Sequence, residues 1–160
     1  MPFIDINYPI THVRQPREGQ CWLAALAMLR HRNFQWACEQ ARLAQIPTNE
    51  SLSSPHAGQL IRAMGLHTDG IWGIHLSLTI ERLAPLLSRS PVMVLGLVNQ
   101  ATGPARQHAL IISGMRGLTE EGPGHVFVSV HDPGLAGGDR VLLSQLNTAT
   151  ISRVDMLVLR

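Results

Sequence analysis

The chain has no lysine. All thirteen of its basic residues are arginine, and eleven acidic residues set against them leave a formal charge of +2 over 160 residues. The arginines are scattered and aromatics make up only 4% of the chain, so no basic face interleaved with stacking side chains is expected and a nucleic-acid partner is excluded. Two explanations of the missing lysine stay open at this level. One is arginine bias in a GC-rich genome. The other is removal of the amines to which ubiquitin is attached, in a protein that works inside a foreign cell. Long apolar runs are lacking as well: Trp22 to Leu29 and Val92 to Val98 fall well short of the roughly 20 residues of a membrane-crossing helix. The chain opens Met-Pro-Phe-Ile-Asp, with neither a basic n-region nor an apolar core, so no secretory signal peptide is read there.

Cysteine is scarce. Cys21 and Cys38, separated by two helical stretches, do not make a disulfide framework, and free thiols in a reducing compartment fit better. No Cys or His pair with ligand spacing is backed by a second pair, so neither a metal nor another cofactor is expected. What the chain does have is 45% hydrophobic residues, enough for one good core and one compact domain over residues 1–160.

Periodicity divides the chain into helices first and strands later. Cys21 to Arg32 is apolar on nearly every side through Leu29, as in a helix buried at the centre of a domain, with Arg30, His31 and Arg32 at its C-terminal end. A second helix is predicted from about Phe34 to Gln45, stopping near Pro47. A third starts at Ser54-Pro55, a cap followed by a first-turn proline, and ends at Gly65. A fourth carries Ile80, Leu83 and Leu87 on one face, with Pro91 at its exit. Val92 to Val98, His108 to Ser113, Val126 to Val130, Arg140 to Leu143 and Ile151 to Leu159 then read as strands, with one helical turn at Ser144 to Asn147. Helices followed by consecutive strands predict an α+β domain, in which an N-terminal helical layer packs on a C-terminal antiparallel sheet.

Cys21 follows Gly19-Gln20 and opens the buried helix, where unpaired backbone N–H groups and the helix dipole favour a negative charge. The thiolate is the reactive form of cysteine, so this is a fitting place for a nucleophile; the plain alternative is a buried, inert cysteine. Thiolate attack on a carbonyl needs a base that takes the thiol proton and returns it to the leaving group, which His does near neutral pH. A carboxylate on the other ring nitrogen fixes the tautomer and favours the imidazolium. Cys21-Trp22 has Gln15 six residues upstream, Gln107-His108-Ala109-Leu110-Ile111-Ile112-Ser113-Gly114 heads a strand, and His131-Asp132-Pro133-Gly134 closes the next one.

In these three segments the chain resembles the papain-like cysteine proteases. That family places a Cys-Trp at the head of its central helix, a Gln six residues before it, a His followed by Ala, a hydrophobic pair and Gly at the head of a strand, and an orienting residue at the end of the next. The Asp-Pro form is similar to the bacterial branches, among them bacteriocin-leader peptidases and papain-like effectors of plant pathogens. The resemblance covers about a sixth of the chain and implies a papain-like fold, Cys21 as nucleophile, His108 as base and Asp132 as its orienter. It also implies an oxyanion hole from the Gln15 amide and the Cys21 backbone N–H.

Rival residues are weighed against these. His12, His31, His56, His67, His75 and His125 sit in loops or helix ends, where exposed histidines without a function are usual. His131 abuts Asp132, but neighbours in a strand point to opposite faces. Asp139 lies in a Gly-rich turn, Asp155 falls mid-strand, Trp22 reads as core packing and Cys38 as a small buried apolar residue. Gly19-Gln20-Cys21-Trp22 also resembles the nucleophile motif of transglutaminases, which implies glutamine deamidation or acyl transfer as an alternative, and a catalytically dead papain-like binding module is a second. The expected partner is a protein substrate, with an immunity or inhibitor protein restraining a bacterial effector or toxin that a secretion system delivers into a target cell's cytoplasm. Specificity would come from loops such as Asp69 to His75 and Gln100 to Arg106.

Overall fold

A computed structural model describes residues 3–99 and 103–160, so residues 100 to 102 of the second loop lie outside the described residues. The helices are α1 (Cys21–Leu29), α2 (Phe34–Leu43), α3 (Ser54–Met64) and α4 (Ile80–Leu87). The strands are β1 (Phe3–Asn7), β2 (His67–Asp69), β3 (Val92–Val98), β4 (Arg106–Leu118), β5 (Val126–His131), β6 (Gly138–Leu142) and β7 (Ile151–Leu159).

All seven strands join one antiparallel sheet in the order β2-β7-β3-β4-β5-β6, with β1 paired to β4. The long strand β4 organises it. Its first half, Arg106 to Ile112, pairs with β3 and its second half, Gly114 to Leu118, pairs with β1, while β5 runs along Ile111 to Gly117. The strand read from the sequence ends at Ser113, before two glycines, Gly114 and Gly117. Both are close approaches: a Cβ on Gly114 would lie 2.3 Å from Ile6 O, and one on Gly117 2.1 Å from His125 O.

The sheet is buried on both faces, which explains why β3 reads Val-Met-Val-Leu-Gly-Leu-Val without alternation. Met93, Leu95, Ala109, Ile111 and Val158 pack with α1, α2 and α3. The interleaved Val92, Val94, Leu110, Ile112 and Leu157 pack with Leu83 and Leu87 of α4 and with Leu143 and Leu146. The helical layer on the sheet is thus α1 to α3, and α4 covers the opposite face. Leu143–Gln145 makes the single α-helical turn expected near there, continued by a π turn over Leu146–Thr150.

All nine residues of α1 are buried, so it has no polar stripe to orient it and sits at the centre of its layer. It ends at Leu29 rather than running on to Arg32. His31 takes a left-handed φ of 53°, and the His31 N–H to Met28 O and Arg32 N–H to Ala27 O bonds close a Schellman motif. The same closure ends α2 at Leu43, with Gln45 at φ 59° and Ile46 N–H donating to Ala41 O. At the end of α3 a left-handed Gly65 fills this place.

Candidate active site

The head of α1 is fixed by the loop around residues 48 to 51. Gln20 Nε2 donates to Thr48 O (2.9 Å) and Trp22 Nε1 to Glu50 O (3.0 Å). Gly19, at φ +79°, lets the two segments meet, since a Cβ there would lie 3.1 Å from Ser51 N. Gln20 thereby turns its side chain away from the helix and makes no capping hydrogen bond. The N–H groups of the first turn are left for another acceptor, and Cys21 is the first residue behind them.

His108 lies opposite Gly96 of β3 and is 6% exposed; Cys21 is 5% exposed. The thiol stands beside the imidazole in one small pocket, near enough for the sulfur to act on the ring's protonation. On its other side, the His108 ring bonds through Nε2 to Asp132 Oδ1 at 2.5 Å, which leaves Nδ1 as the nitrogen for the thiol. Asp132 is the first residue beyond β5, and the turn that follows wraps around its carboxylate. Gly134 N–H donates to Oδ1 (2.8 Å) and Leu135 N–H to the Asp132 carbonyl (3.0 Å). A Cβ on Gly134 would lie 3.3 Å from that Oδ1 and 3.9 Å from His108 Cε1, so glycine keeps the turn tight against the pair.

The electrostatics follow from this geometry. Burial by itself pushes the His108 pKa down, but the hydrogen bonds to Asp132 and Cys21, and the charges behind them, outweigh it and raise the value to about 9. Burial likewise pushes Asp132 up, and the His108 hydrogen bond and charge together with the Gly134 N–H bring it below the ordinary aspartate value. At neutral pH the pair is therefore imidazolium against carboxylate.

Gln15 sits on the segment before α1, anchored by its backbone N–H to Pro133 O (2.8 Å), one residue from Asp132. Its side-chain Nε2 donates to Arg17 O (3.1 Å), and its Oε1 is buried without a partner. The structure brings Cys21, His108 and Asp132 together and holds Gln15 beside the aspartate's turn, with its amide directed at Arg17.

The rival residues lie elsewhere. Asp155 is fully buried, and its carboxylate faces Arg153 Nε at 2.8 Å. Asp139 lies in β6 rather than in a turn, and its Oδ1 accepts the Arg140 N–H (2.7 Å). Trp22 is 1% exposed and Cys38 7%, in keeping with core packing, and both cysteines are free thiols. His131 faces His12, whose Nδ1 lies 3.1 Å from His131 Nδ1 and whose Nε2 lies 2.7 Å from Leu135 O. His12 is thus not the plain loop histidine that its position in the sequence suggested. His75, too, has a partner, since its Nδ1 accepts the Val154 N–H (3.1 Å).

The small pocket at the thiol is lined by Cys21, Leu52, Trp72, Leu95, Gln107 and His108. Trp72 brings the 69–75 loop to the site, flanked by exposed Ile71 and Ile74. An ion pair between Glu18, three residues before Cys21, and Arg106, two before His108, links the segments that carry the thiol and the imidazole. Neither the tryptophan nor the ion pair was marked by a motif.

The fold has counterparts of known structure. Over 92% of this chain and 94% of the other, the fold matches the peptidase domain of Streptococcus ComA, a bi-functional ABC transporter involved in quorum sensing, with a TM-score of 0.59 and 14% identity. It matches equally a double glycine motif protease from an AMS/PCAT transporter, solved in complex with the leader peptide, over 98% of this chain and 96% of that one, again with a TM-score of 0.59 and 14% identity. The fold is papain-like. No family model and no curated protein matches the sequence. The α+β architecture expected from the sequence is the architecture of these peptidase domains. Among the described residues, no group of three or more metal-ligating side chains comes together and no helix is long and apolar enough to cross a membrane.

Proposed function

We propose that the protein is a cysteine peptidase in which Cys21 is the nucleophile, His108 the general acid and base, and Asp132 the residue that orients His108. The observation that carries this reading is the juxtaposition of Cys21 with the hydrogen-bonded His108–Asp132 pair, with the imidazole held protonated up to about pH 9. The thiolate is the attacking form of a cysteine, and the protonated ring is the acid that a departing amine needs. In the reaction the sulfur would form a bond to the scissile carbonyl carbon, and the carbonyl electrons would move onto its oxygen. The N–H groups at the uncapped head of α1 are suited to receive that oxyanion. The Gln15 amide would join them by releasing Arg17 O. His108 would then give its proton to the departing amine as the C–N bond breaks, leaving a thioester. Water, losing a proton to His108, would cleave the thioester and restore the thiol pair.

The pocket at the thiol is narrow and walled by Trp72, Leu95 and Gln107, which favours an extended peptide with small residues before the cut. A leader peptide is bound by the double glycine motif protease of the same fold, and that likeness supports a peptide or protein substrate. The absence of lysine supports a target inside another cell's cytoplasm, as for a delivered effector. Wild type and Cys21→Ala, incubated with bacterial and eukaryotic lysates and read by proteome-wide mapping of new N-termini, test the whole reading. New termini that need Cys21 are expected, and in the eukaryotic or competitor lysate if the effector reading holds. Deamidated or crosslinked glutamines without new termini would replace peptidase by glutamine chemistry, and no change of either kind would leave a binding module.

A further inference from the structure

Two imidazoles meet beside the site, and the catalytic scheme does not use them. His12 belongs to the segment that carries Gln15, and His131 ends the strand that delivers Asp132. Their rings approach with centroids 5.4 Å apart and Nδ1 atoms at 3.1 Å. The hydrogen bonds around them determine where the protons sit. Leu135 O can only accept, so His12 carries its proton on Nε2, 2.7 Å away. A neutral His12 then presents a bare Nδ1, and His131 must donate to it from its own Nδ1. The chain of bonds therefore runs from His131 to His12 to the carbonyl of the turn that wraps Asp132. Parallel to it, Gln15 N–H binds Pro133 O in the same turn. The ring of His131 is seated against Gly138, where an added Cβ would lie 2.6 Å from Cε1, and its other side faces an open recess.

We infer that His12 and His131 are positioning residues, a pair of imidazoles sharing one bridging proton that locks the Gln15 segment onto the Asp132 turn and lets go in acid. This rests on the peptidase reading above. The pair tolerates one added proton, because whichever ring takes it donates from Nδ1 to the bare Nδ1 of the other. A second proton would put an N–H on each Nδ1 and two like charges 3.1 Å apart, and the contact would have to open. Burial, followed by the charge of His12, holds the His131 pKa below its ordinary value. The folded state thus prefers His131 neutral. That stabilisation is complete above about pH 6.5 and is lost as the pH falls through the depressed value. The other groups facing the pair are Asp132, whose carboxylate feels the charge of His12, and Tyr8, Asp139 and Arg140, which line the same recess with His131.

The test uses alkylation of Cys21 by iodoacetamide across about pH 5 to 9, read by mass spectrometry of the labelled peptide in wild type, His12→Ala and His12→Asn. His12→Ala should label on the order of tenfold more slowly at neutral pH. The Asn carbonyl can still accept from His131 but cannot titrate. It should restore the neutral rate to within about twofold and carry the acid limb about one pH unit lower than in wild type. Profiles of both variants that superimpose on wild type would overturn the inference, and so would an Asn variant as slow as the Ala variant with an unmoved acid limb. If His12→Ala fails to fold by circular dichroism, the acid limb of His12→Asn decides alone. A wild-type Cys21 that reacts no faster than free cysteine would refute the peptidase reading instead, whatever the variants do.

Discussion

Asp132→Asn keeps the shape of the side chain beside His108 and removes its charge. In the wild type the folded pKa of His108 lies above its unfolded value, so the protonated ring stabilises the fold. This contribution is complete below pH 6.5 and disappears as the pH rises through about 9. The rise from 6.5 to about 9, at about 1.4 kcal/mol per pH unit, corresponds to about 3 kcal/mol. Much of it comes from Asp132, with Cys21 supplying the rest. In the Asn variant the charge of Asp132 no longer opposes the downward push of burial, and the ring should lose its proton well below pH 9. Urea unfolding followed by tryptophan fluorescence should therefore show the variant about 2 to 3 kcal/mol less stable than wild type near pH 6 and nearly equal to it near pH 9.5. Histidine ¹⁵N shifts should show His108 titrating near 9 in wild type and several-fold more readily losing its proton in the variant. A stability gap that does not change over this range, or a wild-type His108 titrating at 6.5, would refute the assignment of an imidazolium–carboxylate pair at neutral pH.

Two further substitutions test how the site is supported. Gly96 faces His108 across the β3–β4 pair, and a Cβ there would lie 2.1 Å from Arg153 O and 3.0 Å from Val154 Cα. Gly96→Ala should cost about 3 kcal/mol in urea unfolding, because backbone would have to move. A loss below about 1 kcal/mol would mean that β7 yields easily. The Glu18–Arg106 pair is largely exposed, so Glu18→Ala should leave stability within about 0.5 kcal/mol of wild type, and a loss above about 1 kcal/mol would show that it acts as more than a surface pair.

The central helix and the strands β3 and β7 were legible because burial leaves a plain record in composition. Every residue of Cys21–Leu29 is buried, and β3 and β7 coincide with Val92 to Val98 and Ile151 to Leu159 as read from the sequence. Strands at the margins left no such record. In β1 no residue is fully buried, and β2 is the polar triplet His67–Asp69, defined only by its pairing with β7. The extension of β4 to Leu118 was hidden because glycine serves equally for turns and for close backbone approach, and Gly114 and Gly117 do the second. The helix ends were overrun by two or three residues because His31 and Gln45 occupy the left-handed positions where glycine is the usual signal.

At the site, Cys21, His108 and Asp132 could be picked out as candidates because each stands in a local setting that the sequence displays, a cysteine at a helix head, a histidine in a strand and an aspartate just beyond the next strand. The contacts between segments could not. That His12 finds His131 at a separation of 119 residues, or that Gln15 turns its amide to Arg17, depends on how distant turns come to rest against each other. No spacing encodes it.

A helix with no wet side has nowhere to go. To slide or roll, α1 would have to carry the whole inner layer with it, so the sulfur at its tip behaves as a fixed post in the molecule. Any adjustment of reactivity, by acidity, by a bound peptide or by a neighbouring protein, has to arrive from the opposite bank, through the sheet's turns and the imidazole they hold.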